Sequence, residues 1–420
     1  MASTSEVPAG GSAVSRDARF TIAVVPDAQN YVSYNHQMAE GFPFDSCEQL
    51  FAQLRYIAEN LNSAGGDIAF VTALGDQWNH PSVPIDPEHA ARGFSRADNP
   101  MVDAFFGPTP MTRSYEMPTI RRAFEAIAGR VPLCVVVGNH DCDALWTDSN
   151  HPPKRTAGPF VPEDAGMTYA GGLDNFRAVF GADTPFFRDQ PWYVASHDGG
   201  ADSAQVFEAG GYRFLNLGLR FHAPNASLAW AASVLADYPG LPTILTTHDF
   251  LNPAGERVPY PGSDNSVVDP EDNSSAMMWQ KFVSQHDQIF LVLCGHQPGQ
   301  ARRTDTNRFG HPVYQVLADY QERWQTAKDV GFTVTWPKAI GDGWMRLMTF
   351  DLGAEPPRIQ VRTYSTHYQK FSSEIPDYAS WYRDQEQPQM TDAEFHAADQ
   401  FVIELTDFRQ RFDQAGKVAS

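Results

Sequence analysis

Six short apolar segments set the terms for the fold. They read FTIAVVPD (20–27), DIAFVTALGD (67–76), VPLCVVVGNHD (131–141), YRFLNLGL (212–219), PTILTTHD (242–249) and IFLVLCGH (289–296). Each has the length of a strand, all but YRFLNLGL contain β-branched residues, and the apolar character is continuous rather than alternating. A strand with no polar face must be covered on both sides, as it is in layered α/β proteins. Helical periods fall between the segments. Leu50, Leu54, Ile57 and Leu61 share one stripe, with Ser46 and Gln49 placed to form a capping box and Gly65 to stop the helix. Residues 225–238 and 275–287 are predicted helices of the same kind.

The polar, Pro- and Gly-rich stretches 77–118, 142–190 and 252–275 are longer than ordinary connections. Insertions of that length are commonly functional, and two of them directly follow polar strand ends, so they are expected to wall a cleft. A flexible leader is expected over 1–18 and a main domain over 19–365. Residues 366–420 read as an extension packed on that domain, with a short helix starting at Thr391 and a strand near 399–405.

Five of the six segments end in side chains able to bind metal or move protons: Asp27 with Gln29, Asp76, Asn139 with His140, His248, and His296. Ligands of open α/β sheets gather beyond the carboxyl ends of strands. One such ending is ordinary turn chemistry, but five at the same end of their strands are hard to ascribe to turns. Carboxylate, amide oxygen and imidazole together suit Mn, Fe or Zn, whereas a softer site would recruit Cys. Cys134 and Cys294 sit inside apolar runs; Cys47 and Cys142 are able to pair, though nothing requires it.

In order, DAQ (27–29), GDQWN (75–79), GNHD (138–141), TTHD (246–249) and GHQP (295–298) resemble the calcineurin-like metallophosphoesterases. The family pattern is D-x-H, G-D-x-x-D/N, G-N-H-D/E, a lone His and G-H-x-H. The resemblance covers about residues 19 to 365. It looks closest to a branch with PDTQ and a downstream LADYQ, here VPDAQ and VLADYQ (316–321), and with phrases like GDGWMRLMTFD (341–351) and TYS (363–365). It implies a four-layer α/β/β/α sandwich with a two-metal site between the sheet ends. Asp76 would bridge both ions, Asn139, His248 and His296 would complete the second site, and Asp27 would serve the first. Two positions depart from the pattern: Gln29 replaces one usual His and Pro298 the other. That leaves the first site with oxygen donors, better suited to Mn, Mg or Ca, or to no permanent ion.

The activity so implied is hydrolysis of a phosphate monoester or diester of an organic substrate. Two ions about 3.5–4 Å apart clamp the phosphoryl group and generate hydroxide, His140 protonates the leaving oxygen, and Asp141 orients the His140 ring. Arg302 and Arg303, shortly after His296, and Asn79 are candidate substrate contacts. His36, His151, His222, His286 and His311 are expected on loops or the surface, and Arg346 as a covered structural Arg. Pro298 also motivates a second reading: a one-metal member that binds a ligand or partner without turnover, or acts on a non-phosphate bond. No Walker loop, G-x-G-x-x-G, G-x-S-x-G or H-E-x-x-H is present.

The net charge of −20 argues against nucleic-acid and anionic-membrane partners. No apolar run approaches a spanning helix and the N-terminus lacks the apolar core of a signal peptide, a pattern that favours the cytoplasm.

Overall fold

A computed structural model describes residues 18–109, 111–333 and 339–418. The expected leader, save Ala18, lies outside them. The strands in chain order are β1 (Arg19–Val25), β2 (Ile68–Ala73), β3 (Leu133–Val135), β4 (Ala144–Thr147), β5 (Thr168–Gly171), β6 (Tyr193–His197), β7 (Asp202–Ala209), β8 (Tyr212–Leu219), β9 (Thr243–Thr247), β10 (Ile289–Cys294), β11 (Gly299–Thr306), β12 (Pro312–Asp319), β13 (Trp344–Asp351), β14 (Arg358–Ser365), β15 (Lys370–Phe371) and β16 (Phe401–Glu404). All six predicted strands form.

The architecture is mixed α/β. One sheet runs β15-β14-β13-β1-β2-β3 with β16 beside β14, the other β11-β12-β10-β9-β8-β7-β6, and β4 and β5 make a separate hairpin. In the first sheet β1, β2 and β3 are parallel. In the second, β8, β9, β10 and β12 are parallel. The remaining pairings are antiparallel, so each sheet has a parallel centre whose strands all point their carboxyl ends one way.

The continuous apolarity has the cause the sequence suggested. Along β1, Ile22 and Val24 enter a core shared with Phe207, Phe214, Ile244 and Leu293 of the other sheet. Ala23 and Val25 enter a second core with Leu50, Leu54 and Ile57 of helix Cys47–Glu59. The second sheet has its own outer core, where Leu215, Leu217 and Leu245 meet Leu228 and Val234 of helix Asn225–Asp237 and Met278 of helix Ser275–Lys281. At about 25 cal/mol per Å² of apolar surface withdrawn from water, these three cores are the main driving force for assembly.

Several local expectations are corrected. Ser46 makes no cap bond; its Oγ donates to Tyr31 O at 2.6 Å, while Gln49 donates to Thr326 Oγ1 at 3.2 Å. Gly65, with φ of 90°, closes a short 3-10 turn (Asn62–Ala64) rather than the helix itself. The helix expected over 275–287 stops at Lys281, and a 3-10 turn follows at Val283–Gln285. Cys47, Cys134, Cys142 and Cys294 are all free and buried, so Cys47 and Cys142 do not pair. Near the C-terminus, Thr391 and Glu394 do form a capping box, and helix Asp392–Asp399 runs into β16.

Residues beyond 365 contribute to the core between the sheets: Tyr378, Tyr382, Phe395, Phe401, Phe408 and Phe412 all enter it. Buried ion pairs fasten this segment, Arg346 to Asp399 at 3.0 Å and Arg323 to Glu386 at 2.7 Å. Arg346 is thus the covered structural Arg expected. No helix among the described residues is long and apolar enough to cross a membrane.

The three insertions are fastened to one another. Ala97 N–H donates to Thr147 O at 2.8 Å, Thr168 N–H to Gly262 O at 2.8 Å, and Asn265 Nδ2 to Ala170 O at 3.1 Å. Together they wall one side of a cleft at the carboxyl ends of the parallel strands.

Candidate metal centre

Six of the seven parallel strands, β1, β2, β3, β9, β10 and β12, bring polar side chains to one place, and the turns after them are tightly interlocked. Ala28 N–H and Gln29 N–H, just past β1, donate to Asp76 O at 2.9 and 2.8 Å. Asp76 itself, just past β2, has a φ of 52°, and Gly75 before it a φ of 104°. A Cβ on Gly75 would lie 2.5 Å from His248 Nδ1, and one on Gly138 would lie 2.2 Å from Asp76 Oδ1. Close approach therefore requires glycine at both positions, and at Gly75 the positive φ requires it as well. His296, past β10, also has a positive φ, of 73°. Strained backbone of this kind persists where surrounding structure over-determines it, as at binding sites.

Around His248 Nε2 stand Asn139 Oδ1 at 3.0 Å, His296 Nδ1 at 3.1 Å and Asp76 Oδ1 at 3.2 Å. An ion with bonds of about 2.0–2.1 Å spaces adjacent ligand atoms about 2.8–3.0 Å apart in octahedral geometry and about 3.3–3.4 Å in tetrahedral. The three separations from His248 Nε2 lie between these limits, and the donor set suits a divalent ion such as Zn, Mn or Fe. His248 Nδ1 lies 2.7 Å from Leu74 O, which fixes the ring with its Nδ1–H on the carbonyl and its Nε2 toward the other donors. Burial disfavours a charged His248, but Asp76 and Asp27 outweigh it and hold its pKa up to about 10. Burial likewise disfavours an ionised Asp76, yet His248 and His140 hold it well below the usual carboxylate range. His296 is pushed down to about 4 by burial, only partly opposed by Asp249.

Asp27 and Gln29 stand on the other side of Asp76. Asp27 Oδ2 accepts His296 N–H at 3.1 Å and lies 4.0 Å from His248 Nε2. Gln29 Nε2 donates to Asp76 Oδ2 at 3.2 Å and contacts Gln321 Oε1. Gln321 Nε2 donates to Asp319 Oδ2 at 2.8 Å and to Asp27 Oδ2 at 3.3 Å. Asp319 and Gln321 were given no role from sequence. Asp319 ends β12 and Gln321 follows it; the opening residues of that strand, PVYQ, lack the apolar run that marked the other strands, and the signal available was the phrase VLADYQ. Burial pushes Asp27 well above the carboxylate range, with Asp319 adding to it, and lifts Asp319 to about 7.

His140 N–H donates to Asp76 Oδ1 at 2.8 Å. Its ring lines the cleft, with Nδ1 buried and unpartnered, and lies 5.4 Å from the ring of His80 and 6.2 Å from that of Phe106. Burial holds His140 below its ordinary pKa, although the Asp76 carboxylate opposes this. His80 was not singled out from sequence. It is buried with both ring nitrogens unpartnered, and burial and His140 push it down to about 3.

The orienting role expected of Asp141 is corrected. Its two oxygens accept Gln77 N–H and Gly138 N–H, each at 2.7 Å, so it fastens two turns and does not reach the His140 ring. Arg302 and Arg303 are also corrected. β11 runs antiparallel to β12, with Gly299 opposite Asp319 and Arg302 opposite Val316, so each step along it leads away from the strand ends. Arg302 lies over the Phe401 ring and Arg303 is bound to Asp305 and Gly255 O. Asn79 does line the cleft, where its N–H and side chain donate to Glu116. His36 and His222, expected on loops or the surface, are buried. His36 bonds Asn30 O, and His222 bonds Asp249 under the Phe221 ring, which packs on both His248 and His296.

The cleft encloses 620 Å³ and is lined by Asp76, Asn139, His140 and His296 at its floor. Phe105, Phe106 and Phe160 from the insertions form an aromatic wall, Phe105 stacked on Phe160 with centroids 4.3 Å apart. Pro298 lines it as well, so position 298 faces the site and offers no donor. Among the described residues lining it there is no Lys or Arg, whereas Glu40, Asp103 and Glu322 are present.

No family model matches the chain. An uncharacterized protein of Bacillus subtilis (strain 168), YvnB, is 25% identical over 203 residues, 47% of this chain; the match spans only 13% of that longer protein. A solved structure of GAP50, the anchor in the inner membrane complex of Plasmodium, aligns with 84% of this chain and 86% of its own at a TM-score of 0.39 and 8% identity.

Proposed function

We propose that the chain is a metal-dependent hydrolase of phosphate esters, built on the four-layer α/β/β/α sandwich of the calcineurin-like metallophosphoesterases. The observation that carries this reading is the convergence of Asp76 Oδ1, Asn139 Oδ1 and His296 Nδ1 within 3.0–3.2 Å of His248 Nε2 at the carboxyl ends of parallel strands. These four residues would hold the ion. When bound, a divalent ion supplies positive charge to phosphoryl oxygens and acidifies water.

The chain's own residues do the rest. His140 stands at the cleft side of the donor set, where its ring can give a proton to a departing oxygen; such general acids contribute about 10²–10⁴-fold. A ring held below its ordinary pKa by burial is a stronger acid once protonated. Asp141 keeps the turn that carries His140 fixed through Gly138 and Gln77. With no Lys or Arg among the described lining residues, phosphoryl charge would be met chiefly by the metal site. The phenylalanine wall suits an apolar or aromatic organic substituent.

The test is hydrolysis of nitrophenyl phosphate mono- and diesters after Mn or Zn loading, alongside metal content. His248→Ala and His296→Ala should each lose high-affinity metal and turnover together. Metal at wild-type stoichiometry in either variant would remove the site assignment. Metal binding with no ester cleaved would favour the reading that Pro298 motivates, a one-metal protein that binds without turnover or acts on another bond.

A further inference from the structure

Three buried ring nitrogens stand together with no hydrogen-bond partner among the described residues: His80 Nδ1, His80 Nε2 and His140 Nδ1. Buried polar atoms of this kind are few in folded proteins, and each calls for a cause such as a role in catalysis. The two rings are held side by side by their backbones. Gln77 N–H donates to Asp141 Oδ1 at 2.7 Å and Asn79 N–H to Glu116 Oε2 at 3.0 Å, which pins the chain leading into His80. His140 N–H donates to Asp76 Oδ1 at 2.8 Å, and Asp141 holds Gly138 of the same turn at 2.7 Å. The ring centroids are 5.4 Å apart, with 37° between the planes.

At that separation, nitrogens on facing ring edges come to roughly 3 Å, the span of a hydrogen bond. A turn of the His80 ring about its last torsion, which is broad for an imidazole, makes the contact and breaks no existing bond. Nothing else nearby serves His140 Nδ1. Both Asp141 oxygens are taken by backbone N–H groups, and Phe106, its ring 6.2 Å away, has no hydrogen-bonding atom. Nδ1 is the buried nitrogen of His140, so Nε2 is the one on the cleft side. The bond that one ring nitrogen makes sets the orientation and tautomer of the other. Burial, with His140 adding to it, holds His80 down to about 3, so its ring stays neutral and carries one N–H and one lone pair. It can therefore give a hydrogen to a neutral His140 ring or accept one from a protonated ring. We propose that His80 is a positioning residue for His140, bonding Nδ1 through one of its own nitrogens and keeping Nε2–H turned to the cleft. It would fill the orienting role that Asp141 does not. The use made of the ring rests on the hydrolase reading, whereas its orientation is measurable without turnover.

The experiment records ring ¹⁵N chemical shifts of the full chain, loaded with Zn²⁺ and labelled with ¹⁵N in histidine. His140 is identified by the signals missing from His140→Asn. Turnover of an alkyl phosphate diester is measured in parallel on wild type, His80→Leu and His80→Gln. Wild-type His140 should show one tautomer, with the hydrogen on Nε2. His80→Leu should move those shifts toward the average of the two tautomers. It should also lower kcat about 10–100-fold, the usual effect of losing an outer partner, with KM and metal content unchanged. His80→Gln, whose amide both donates and accepts, should recover most of kcat. A wild-type His140 already averaged between tautomers overturns the proposal, and so do wild-type ring shifts in folded His80→Leu. Recovery no better in His80→Gln than in His80→Leu also overturns it, since packing alone would then explain His80. Should His80→Leu fail to fold, the wild-type spectrum and His80→Gln still decide. If the ring shifts behave as expected but no ester is cleaved, the positioning role stands and the hydrolase reading falls.

Discussion

Replacing Gly75 by Ala tests whether the backbone turn after β2 sets the geometry of the metal centre. The new Cβ would stand 2.5 Å from His248 Nδ1 and 2.9 Å from Gly138 N, and the residue would have to keep a φ of 104°. Gly138 is itself held, because its N–H donates to Asp141 Oδ2 at 2.7 Å. The His248 ring must therefore yield, by roughly 1 Å if ordinary contact is about 3.5 Å. That movement breaks the 2.7 Å bond from Nδ1 to Leu74 O, which orients Nε2 toward the other donors. Loss of such an outer partner weakens metal binding about 10–100-fold, and the forced φ adds about 1–3 kcal/mol of destabilisation. Zn²⁺ competition against a chromophoric chelator measures the first effect, and urea unfolding of the metal-free protein the second. A folded Gly75→Ala protein with wild-type Zn²⁺ affinity would refute the argument, since it would mean that His248 is not held against this turn.

Three further outcomes follow from particular contacts. His140→Asn should keep fold and metal content but lose about 10²–10⁴-fold in turnover, less for nitrophenyl esters than for alkyl esters, in steady-state assays; equal losses across leaving groups would exclude a general acid. Asp202, fully buried, is held down to about 2: burial opposes its ionisation, but Arg220 at 3.1 Å and His197 at 3.0 Å outweigh it. A lowered folded pKa gives stability that is present above the unfolded value and lost as pH falls, so Asp202→Asn should cost ~2 kcal/mol at pH 7. Its gap to wild type in urea unfolding should close between about pH 4 and pH 2, and a gap independent of pH would contradict this. Asp399→Ala leaves Arg346 buried and unpaired and should destabilise by about 3–5 kcal/mol, read by urea unfolding at pH 7; a loss below about 1 kcal/mol would show that water reaches the guanidinium.

The sequence was most informative where one cause dominates. β1, β2, β3, β9 and β10 are covered on both faces, so each reads as apolar without alternation, broken only by threonines once past Arg19, and the carboxylate, amide or imidazole beyond it marks the strand end that carries a donor. β12 lies inside the second sheet too, but Tyr314 and Gln315 are kept in it by particular hydrogen bonds, Tyr314 OH to Glu404 O and Gln315 to Asp305. Those bonds are invisible before folding, so Asp319 and Gln321 could not be placed by pattern. Nearness along the chain misled twice. Asp141 adjoins His140 but points into the turn, and Arg302 follows His296 by six residues while β11 carries it away. His80, buried against His140, had no spacing to mark it, because its place depends on how the insertion folds back.

The central claim is most directly tested by hydrolysis of a nitrophenyl phosphate diester by one preparation in three states: chelator-treated, Mn²⁺-loaded, and Mn²⁺-loaded His248→Ala. The account predicts turnover in the loaded wild type alone, lost on chelation and restored by Mn²⁺. No turnover in a wild type that has bound its metal, or equal turnover in the His248→Ala protein, would contradict it.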